Sequence, residues 1–136
     1  MRRAIGEEPM RIPKDAVLLR IFLSEKDRFE HRPLNEAIVL KARERCLGGA
    51  TVLRGSMGFG RSNRLHRAKT LRLSYDLPIV IEIVDTEAKI MDFLPILERM
   101  MTAGLVTLGK LQVQQYDQRA CGTDPAGSKE RLECAG

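Results

Sequence analysis

The 136-residue chain has little aromatic character and no long apolar run. Trp is absent and aromatic residues make up 4% of the sequence, which argues against a platform of exposed rings for stacking single-stranded nucleic acid. The longest apolar runs, such as residues 77–81, are too short to span a bilayer. Residues 1–15 lack the apolar core of an export signal. We therefore expect a protein that is neither exported nor inserted into a membrane.

Cysteine and histidine are also scarce. The three cysteines, Cys46, Cys121 and Cys134, are widely spaced and none belongs to a CxxC pair. This spacing argues against a disulfide framework and against structural zinc, and it favours a reducing cytoplasm. The two histidines, His31 and His66, have no second ligand at useful spacing, so no metal site is expected.

One short basic stretch carries a charge equal to that of the whole chain. The chain has 23 Lys+Arg and 18 Asp+Glu, which gives a formal net charge of +5. Residues 61–72 contain no acid and five cations: Arg61, Arg64, Arg67, Lys69 and Arg72. Since the rest of the chain sums to zero, we expect a local anionic partner rather than a generally basic surface. A solvated segment and a self-association contact remain alternatives for this stretch.

The most glycine-dense motif, RGSMGFG at residues 54–60, lies directly upstream. It matches neither the Walker A pattern nor the dinucleotide pattern G-x-G-x-x-G, and such glycines also form bulges in long strands. A bulge in a strand and a ligand-binding turn are therefore both possible roles for this motif. Its position beside the five cations makes the two about equally favoured. The candidate site for a ligand or partner therefore comprises Arg54, Gly55, Gly58, Phe59, Gly60, Arg61, Arg64, His66, Arg67 and Lys69.

Hydrophobic periodicity predicts four strands, at residues 17–23, 50–53, 78–84 and 105–116. Pro33 suits the first turn of the first helix, which should carry the apolar stripe Leu34, Ala37, Ile38 and Ala42 and stop at Gly48-Gly49. The second helix should be capped by Asp85 or Thr86, kink or restart at Pro95, and end at Gly104. Its apolar stripe comprises Ile90, Phe93, Leu94, Leu97 and Met101.

The order βαββαβ predicts an α+β fold, the ferredoxin-like sandwich, in which a four-stranded antiparallel sheet carries both helices on one face. Residues 16–116 would form this domain, between a flexible N-terminal arm at 1–15 and a flexible C-terminal tail at 117–136. The uncovered sheet face would present Leu18, Phe22 and Val80. These side chains are too apolar to leave in water, so we expect the chain to oligomerise through that face.

Three segments are similar to an uncharacterised bacterial and archaeal family of PII-like proteins, which resembles the nitrogen-regulatory PII proteins. They lie at residues 17–44, 48–90 and 103–108, and the most specific features are the spacing RG-x-x-GFG and the later LPIVIEIVD. The resemblance implies a homotrimer that binds adenine nucleotides between subunits. It also implies a loop, here residues 61–76, that docks on a target and has Gly58-Phe59-Gly60-Arg61 at its base.

The chain departs from the PII pattern at three places. It has only Gly104 and Gly109-Lys110 where PII proteins have a second, glycine- and lysine-rich phosphate loop. A single basic residue, Arg119, stands near the C-terminus where PII proteins have two. The loop lacks the tyrosine that is modified in PII proteins, since Tyr75 lies at its far end, so uridylylation is not expected.

We expect a non-enzymatic regulatory protein of the cytoplasm, with no catalytic residue, cofactor or metal. It would bind a small anionic ligand, with an adenine nucleotide as one candidate effector, and contact a target such as the cytosolic face of a membrane transporter. One alternative is a ferredoxin-like domain that binds nucleic acid, which the low aromatic content argues against. The other is a small hydrolase of the acylphosphatase kind, which needs an arginine-bearing glycine loop where this chain has Ser24-Glu25-Lys26-Asp27.

Overall fold

The computed structural model describes residues 14–60, 64–67 and 76–116, which contain eight strands and two helices. The long strands are β1 (Asp15–Ser24), β4 (Ala50–Arg54), β7 (Pro78–Asp85) and β8 (Leu105–Gln112). Two short hairpins are formed by β2 (Arg28–Phe29) with β3 (Arg32–Pro33), and by β5 (Met57–Gly58) with β6 (His66–Arg67). The helices are α1 (Leu34–Glu44) and α2 (Glu87–Met100).

The four long strands form one antiparallel sheet in the order β4-β7-β1-β8. Counted along the chain, the first long strand lies between the third and the fourth, and the second lies at an edge beside the third. Helix α1 connects the first two long strands and helix α2 connects the last two. This arrangement is the ferredoxin-like βαββαβ fold, and the predicted fold class is confirmed.

Both helices pack on the same face of the sheet. Alternate residues of β1 and β7 meet the apolar stripes of the helices there, and Leu19, Ile21, Ile81 and Ile83 are completely buried. The predicted stripe of α1 is confirmed, since Leu34, Ala37, Ile38 and Ala42 are buried in this core. The stripe of α2 is confirmed at Ile90, Phe93 and Leu97, but Leu94 is only partly buried and Met101 lies just beyond the helix, where Met100 is the buried residue. Each fully buried side chain of this size stabilises the fold by about 1.5–3 kcal/mol.

Helix α1 ends before the glycines that were expected to stop it. Cys46 takes the left-handed conformation with φ of 61°, and its N–H donates to the carbonyl oxygen of Arg43 at 3.0 Å. The N–H of Leu47 donates to the carbonyl oxygen of Ala42, also at 3.0 Å. These two bonds complete a Schellman turn. They and the burial of Leu47 hold a non-glycine residue in this conformation, so the prediction for Gly48-Gly49 is wrong.

Cys46 is also disulfide-bonded. The spacing of the three cysteines does not predict this bond, and Cys121 and Cys134 lie outside the described residues.

Helix α2 begins where it was predicted and continues through Pro95. Thr86 is its N-cap, and the side-chain oxygen of Thr86 accepts from the N–H of Lys89 at 3.2 Å. The predicted restart at Pro95 is wrong: this proline is exposed, removes a single backbone donor, and lies between the buried Phe93 and Leu97, whose packing holds the helix together. Gly104 lies beyond the helix end, in the turn to β8, where a Cβ would come within 2.9 Å of the carbonyl oxygen of Phe22.

Strand β8 ends at Gln112 rather than at residue 116. Its neighbour β1 begins at Asp15, which pairs with Gln112. Only one more backbone hydrogen bond is described beyond this pair, from the N–H of Val113 to the carbonyl oxygen of Lys14 at 2.7 Å. Asp15, predicted to belong to the arm, is therefore the first residue of a strand. The rest of the arm, except Lys14, and the tail lie outside the described residues. Within the described ranges no helix is long and apolar enough to cross a membrane.

Candidate functional site

The glycine motif and the described part of the basic stretch lie at one end of the sheet. Strands β1 and β4 finish there, and β7 and β8 begin there. We call this region the loop end; its strand positions are Ser24, Arg54, Pro78 and Leu105. The chain leaves the sheet after Arg54 and rejoins it at Pro78. The segment that contains the predicted loop therefore begins and ends at the loop end.

Two glycines of the motif serve to pack the chain against Pro78. The N–H of Gly55 donates to the carbonyl oxygen of Pro78 at 2.7 Å. A Cβ would lie 2.7 Å from Pro78 Cγ at Gly55, and 3.0 Å from the same atom at Gly58. Only glycine allows this approach. Close packing against Pro78, rather than the bulge considered from the sequence, therefore accounts for Gly55 and Gly58, whereas a Cβ at Gly60 would meet no described atom within 4 Å.

The β5–β6 hairpin carries the part of the basic stretch that the structure describes. Met57 pairs with Arg67, and Gly58 with His66. The hairpin exposes three large apolar side chains: Met57 is 58% exposed, Phe59 69% and Leu65 49%. Arg64 and Arg67 are exposed as well. Arg61, Lys69 and Arg72 lie outside the described residues, as does most of the predicted loop at residues 61–76.

A network of polar side chains ties both ends of the loop to the turn after β1. Arg54 Nη2 lies 2.6 Å from Glu25 Oε1, and Lys26 Nζ lies 3.5 Å from Asp76 Oδ2. The hydroxyl of Ser24 donates to Asp76 Oδ1. Because Arg54 precedes the loop and Asp76 closes it, these contacts fix the positions at which the loop leaves and re-enters the sheet.

Sequence reasoning placed Arg54 in the site and missed Glu25 and Asp76. The Glu25 carboxylate is only 15% exposed, and its second oxygen is buried without a hydrogen-bond partner among the described residues. An acid this buried depends on a nearby cation, here Arg54. The sequence feature that points to Glu25 is the polar cluster Ser24-Glu25-Lys26-Asp27, which directly follows the first predicted strand.

The face of the sheet away from the helices is largely apolar. The strand register places Leu53, Val80, Phe22 and Leu105 in one row across all four strands, and this set is called the apolar row. Leu53 is 48% exposed and Leu105 59%. The next row is polar: Arg20 Nη2 lies 2.8 Å from Glu82 Oε1, and Thr51 and Thr107 flank this pair. Leu18, Phe22 and Val80 lie on this face, where the alternation predicts them.

A surface cavity of about 510 Å³ lies at the opposite end of the sheet from the loop end. It is lined by Asp15, Ala16, Val17, Glu87, Lys110, Leu111 and Gln112, so it contains none of the predicted site residues. Among residues 14–60, 64–67 and 76–116, no group of three or more His, Cys, Asp and Glu side chains could hold a metal ion.

Comparison with known proteins gives a family and a likeness in fold. Residues 16–113 match the DUF190 family, described as "Uncharacterized ACR, COG1993". A UPF0166 protein of Aquifex aeolicus (strain VF5) is 40% identical over 104 residues, which cover 76% of this chain and 97% of that relative. The UPF0166 protein MJ1524 of Methanocaldococcus jannaschii is 35% identical over 94 residues, which cover 68% of this chain and 86% of the relative.

Among solved structures, this chain is similar to CPII from Thiomonas intermedia K12, whose structure was determined bound to ADP and bicarbonate. The two are 20% identical, with a TM-score of 0.48, and the match covers 74% of this chain and 90% of CPII. We assign the fold from the strand order described above and not from this likeness.

Proposed function

This chain belongs to the DUF190 family, and we propose a function from its own loop end. We propose a PII-like regulatory protein without enzymatic activity that binds a small anionic ligand there. The observation that carries the proposal is the placement of exposed cations around a glycine-anchored hairpin. Arg64 and Arg67 are exposed on the hairpin, and the Arg54 side chain at its base is 58% exposed.

Arginine suits a phosphate or carboxylate ligand because its guanidinium donates two parallel hydrogen bonds to such groups. The effector we propose is an adenine nucleotide, on the strength of the sequence resemblance at residues 58–61. In this proposal the protein acts in the cytoplasm, and the same loop contacts a target such as the cytosolic face of a membrane transporter.

We further propose that the chain forms a homotrimer through the uncovered sheet face. The apolar row exposes Leu53 and Leu105 by about half of their surfaces, and contiguous apolar surface of this kind is characteristic of interfaces. The number of subunits comes from the sequence resemblance. Association along this face would bring the loop end of one subunit close to its neighbours, where a ligand could be shared.

The experiment is a thermal-shift and calorimetric titration with ATP, ADP, AMP and cyclic dinucleotides. The variant R64A/R67A should weaken binding by at least tenfold, because one charge-assisted hydrogen bond contributes about 1.5–3 kcal/mol. Its melting temperature should hardly change, since exposed cations usually alter stability by about 0.5 kcal/mol or less. The matched control is R43A/R99A, which removes two exposed cations from the helices and should leave binding unchanged.

Equal weakening by both double variants would mean that net charge, not the loop end, attracts the ligand. If no anion of this set changes the melting temperature, the proposal of an anionic effector is wrong.

A further inference from the structure

The exposed apolar side chains of the β5–β6 hairpin offer no hydrogen-bond donor to a small anion. Met57, Phe59 and Leu65 are all about half exposed or more. Phe59 has a glycine on each side, so no neighbouring side chain in the sequence can cover its ring. We call these three residues together with Arg64 and Arg67 the hairpin tip. Leaving such residues in water is unfavourable, so the hairpin tip is suited to a partner that accepts apolar groups.

The charge at the hairpin tip has one sign. Arg64 and Arg67 are exposed beside the apolar residues, and Arg67 lies opposite Met57 in the hairpin register. The sequence has no Asp or Glu between residues 54 and 75. The partner must therefore present anionic groups at the same place where it accepts apolar side chains.

The apolar row, another exposed apolar surface among the described residues, is different in kind. The apolar row lies flat on the sheet, next to the Arg20–Glu82 ion pair, so it combines apolar area with charges of both signs. A flat surface of mixed charge fits a protein interface. The hairpin tip belongs to a two-stranded projection and pairs apolar side chains with cations alone, a combination that fits an anionic membrane surface.

We propose that the hairpin tip docks directly on an anionic lipid bilayer. Met57, Phe59 and Leu65 enter the headgroup and upper acyl region, and Arg64 and Arg67 contact lipid phosphates. The proposal rests on the anion-binding role proposed for the loop end. The phosphates bound here would be those of lipid headgroups, in addition to those of a soluble nucleotide. A nucleic acid or another polyanion would engage the arginines and leave the three apolar side chains in water.

The test uses vesicles of phosphatidylcholine alone and of phosphatidylcholine mixed with phosphatidylglycerol, with the full chain. The protein should sediment with the anionic vesicles only, and less at high salt because salt screens the arginines. R64A/R67A should lower the partition coefficient by about fivefold for each arginine. F59S should lower it by about tenfold. The controls M91S and R43A/R99A change a half-exposed methionine and two exposed arginines on the helices and should have no effect.

Insertion can be observed directly because the chain contains no Trp. In F59W the single indole should shift its emission to the blue on anionic vesicles, whereas in M91W it should not. Binding without a blue shift, or equal effects of F59S and M91S, would reduce the contact to charge attraction and overturn the proposal. Failure to bind anionic vesicles at low salt would overturn the proposal as well. If the protein instead bound an acidic polypeptide, and F59S weakened that binding, the partner would be a protein rather than a membrane.

The two proposals for the loop end can fail separately. M57S, which changes an exposed apolar residue of the hairpin tip outside the candidate ligand site, should weaken vesicle binding and keep the nucleotide-induced thermal shift. Absence of vesicle binding with that shift intact would reject only the membrane contact. Vesicle insertion without any nucleotide-induced shift would reject only the soluble effector.

Discussion

The two faces of the sheet are built from alternate residues of the same strands, yet they serve different ends. On the covered face Leu19 and Ile81 are completely buried under the helices. On the uncovered face their neighbours Phe22 and Val80 belong to the apolar row and remain partly exposed. The apolar surface of the covered face is buried when the chain folds, so it is not available for contact with another molecule. The uncovered face retains apolar surface that can contribute only to association.

The acids on the two faces are satisfied in different ways. Asp85, on the covered face, is 3% exposed and accepts from the N–H groups of Gly48 at 2.7 Å and Thr86 at 2.6 Å. Glu82, on the uncovered face, pairs with the Arg20 side chain. Backbone donors are fixed by the fold, whereas a side-chain partner can be exchanged. The covered face is therefore rigid in its polar contacts, and the uncovered face can adapt to another surface.

The largest difference between the faces should appear when one methyl-rich side chain is removed from each. I81A should lower the free energy of unfolding by about 2–5 kcal/mol, because it loses buried area and leaves a cavity. V80A should lower it by about 1 kcal/mol or less, since its side chain is already partly in water. Denaturant unfolding at one protein concentration measures both values. Equal losses would show that the faces are equally buried.

A smaller difference should separate the two acids. D85A should cost about 1–3 kcal/mol because it leaves the Gly48 and Thr86 donors without their acceptor. E82A should cost about 0–1 kcal/mol, as expected for an ion pair near the surface. D85N keeps one carbonyl acceptor and should recover part of the loss. If D85A proved as mild as E82A, water would be replacing the carboxylate, and Asp85 would not join the α1–β4 turn to the start of α2.

The smallest effect should be the coupling between Arg20 and Glu82, measured with a double-mutant cycle of R20A and E82A. In dilute protein we expect about 0.2–1 kcal/mol, with strong dependence on salt. At the concentration where light scattering reports a homotrimer, the coupling should increase and become less sensitive to salt, because burial reduces screening. A coupling that does not change on association would place this pair outside the interface. A monomer at all concentrations would remove the homotrimer altogether.

Most of the fold follows from local patterns in the sequence. The alternation in β1 and β7 and the stripes of both helices depend on which side chains must avoid water, and this is readable from single segments. The end of α1 and the end of β8 were not predictable in this way. Cys46 is held by hydrogen bonds that only the complete turn supplies, and β8 stops where its partner β1 begins.

The candidate site was less accessible to sequence reasoning. Its cations and glycines are contiguous in the chain and could be identified directly. The contacts of Arg54 with Glu25 and of Asp76 with Ser24 join segments distant in sequence, and they exist because β1, β4 and β7 meet at the loop end. The role of Pro78 as the surface against which Gly55 and Gly58 pack could likewise not be recognised without the sheet register.

The three glycines of the motif differ in what they will tolerate. Gly55 and Gly58 lie so close to Pro78 that a Cβ would be 2.7 Å and 3.0 Å from its Cγ, so a side chain at either position would require Pro78 or the hairpin to shift. Gly60 faces open space among the described residues and has no left-handed backbone requirement. It is therefore the place to attach a spectroscopic probe or a cross-linker beside Phe59. A reporter fixed at Gly60 would follow what approaches the hairpin while leaving its attachment to the sheet unchanged.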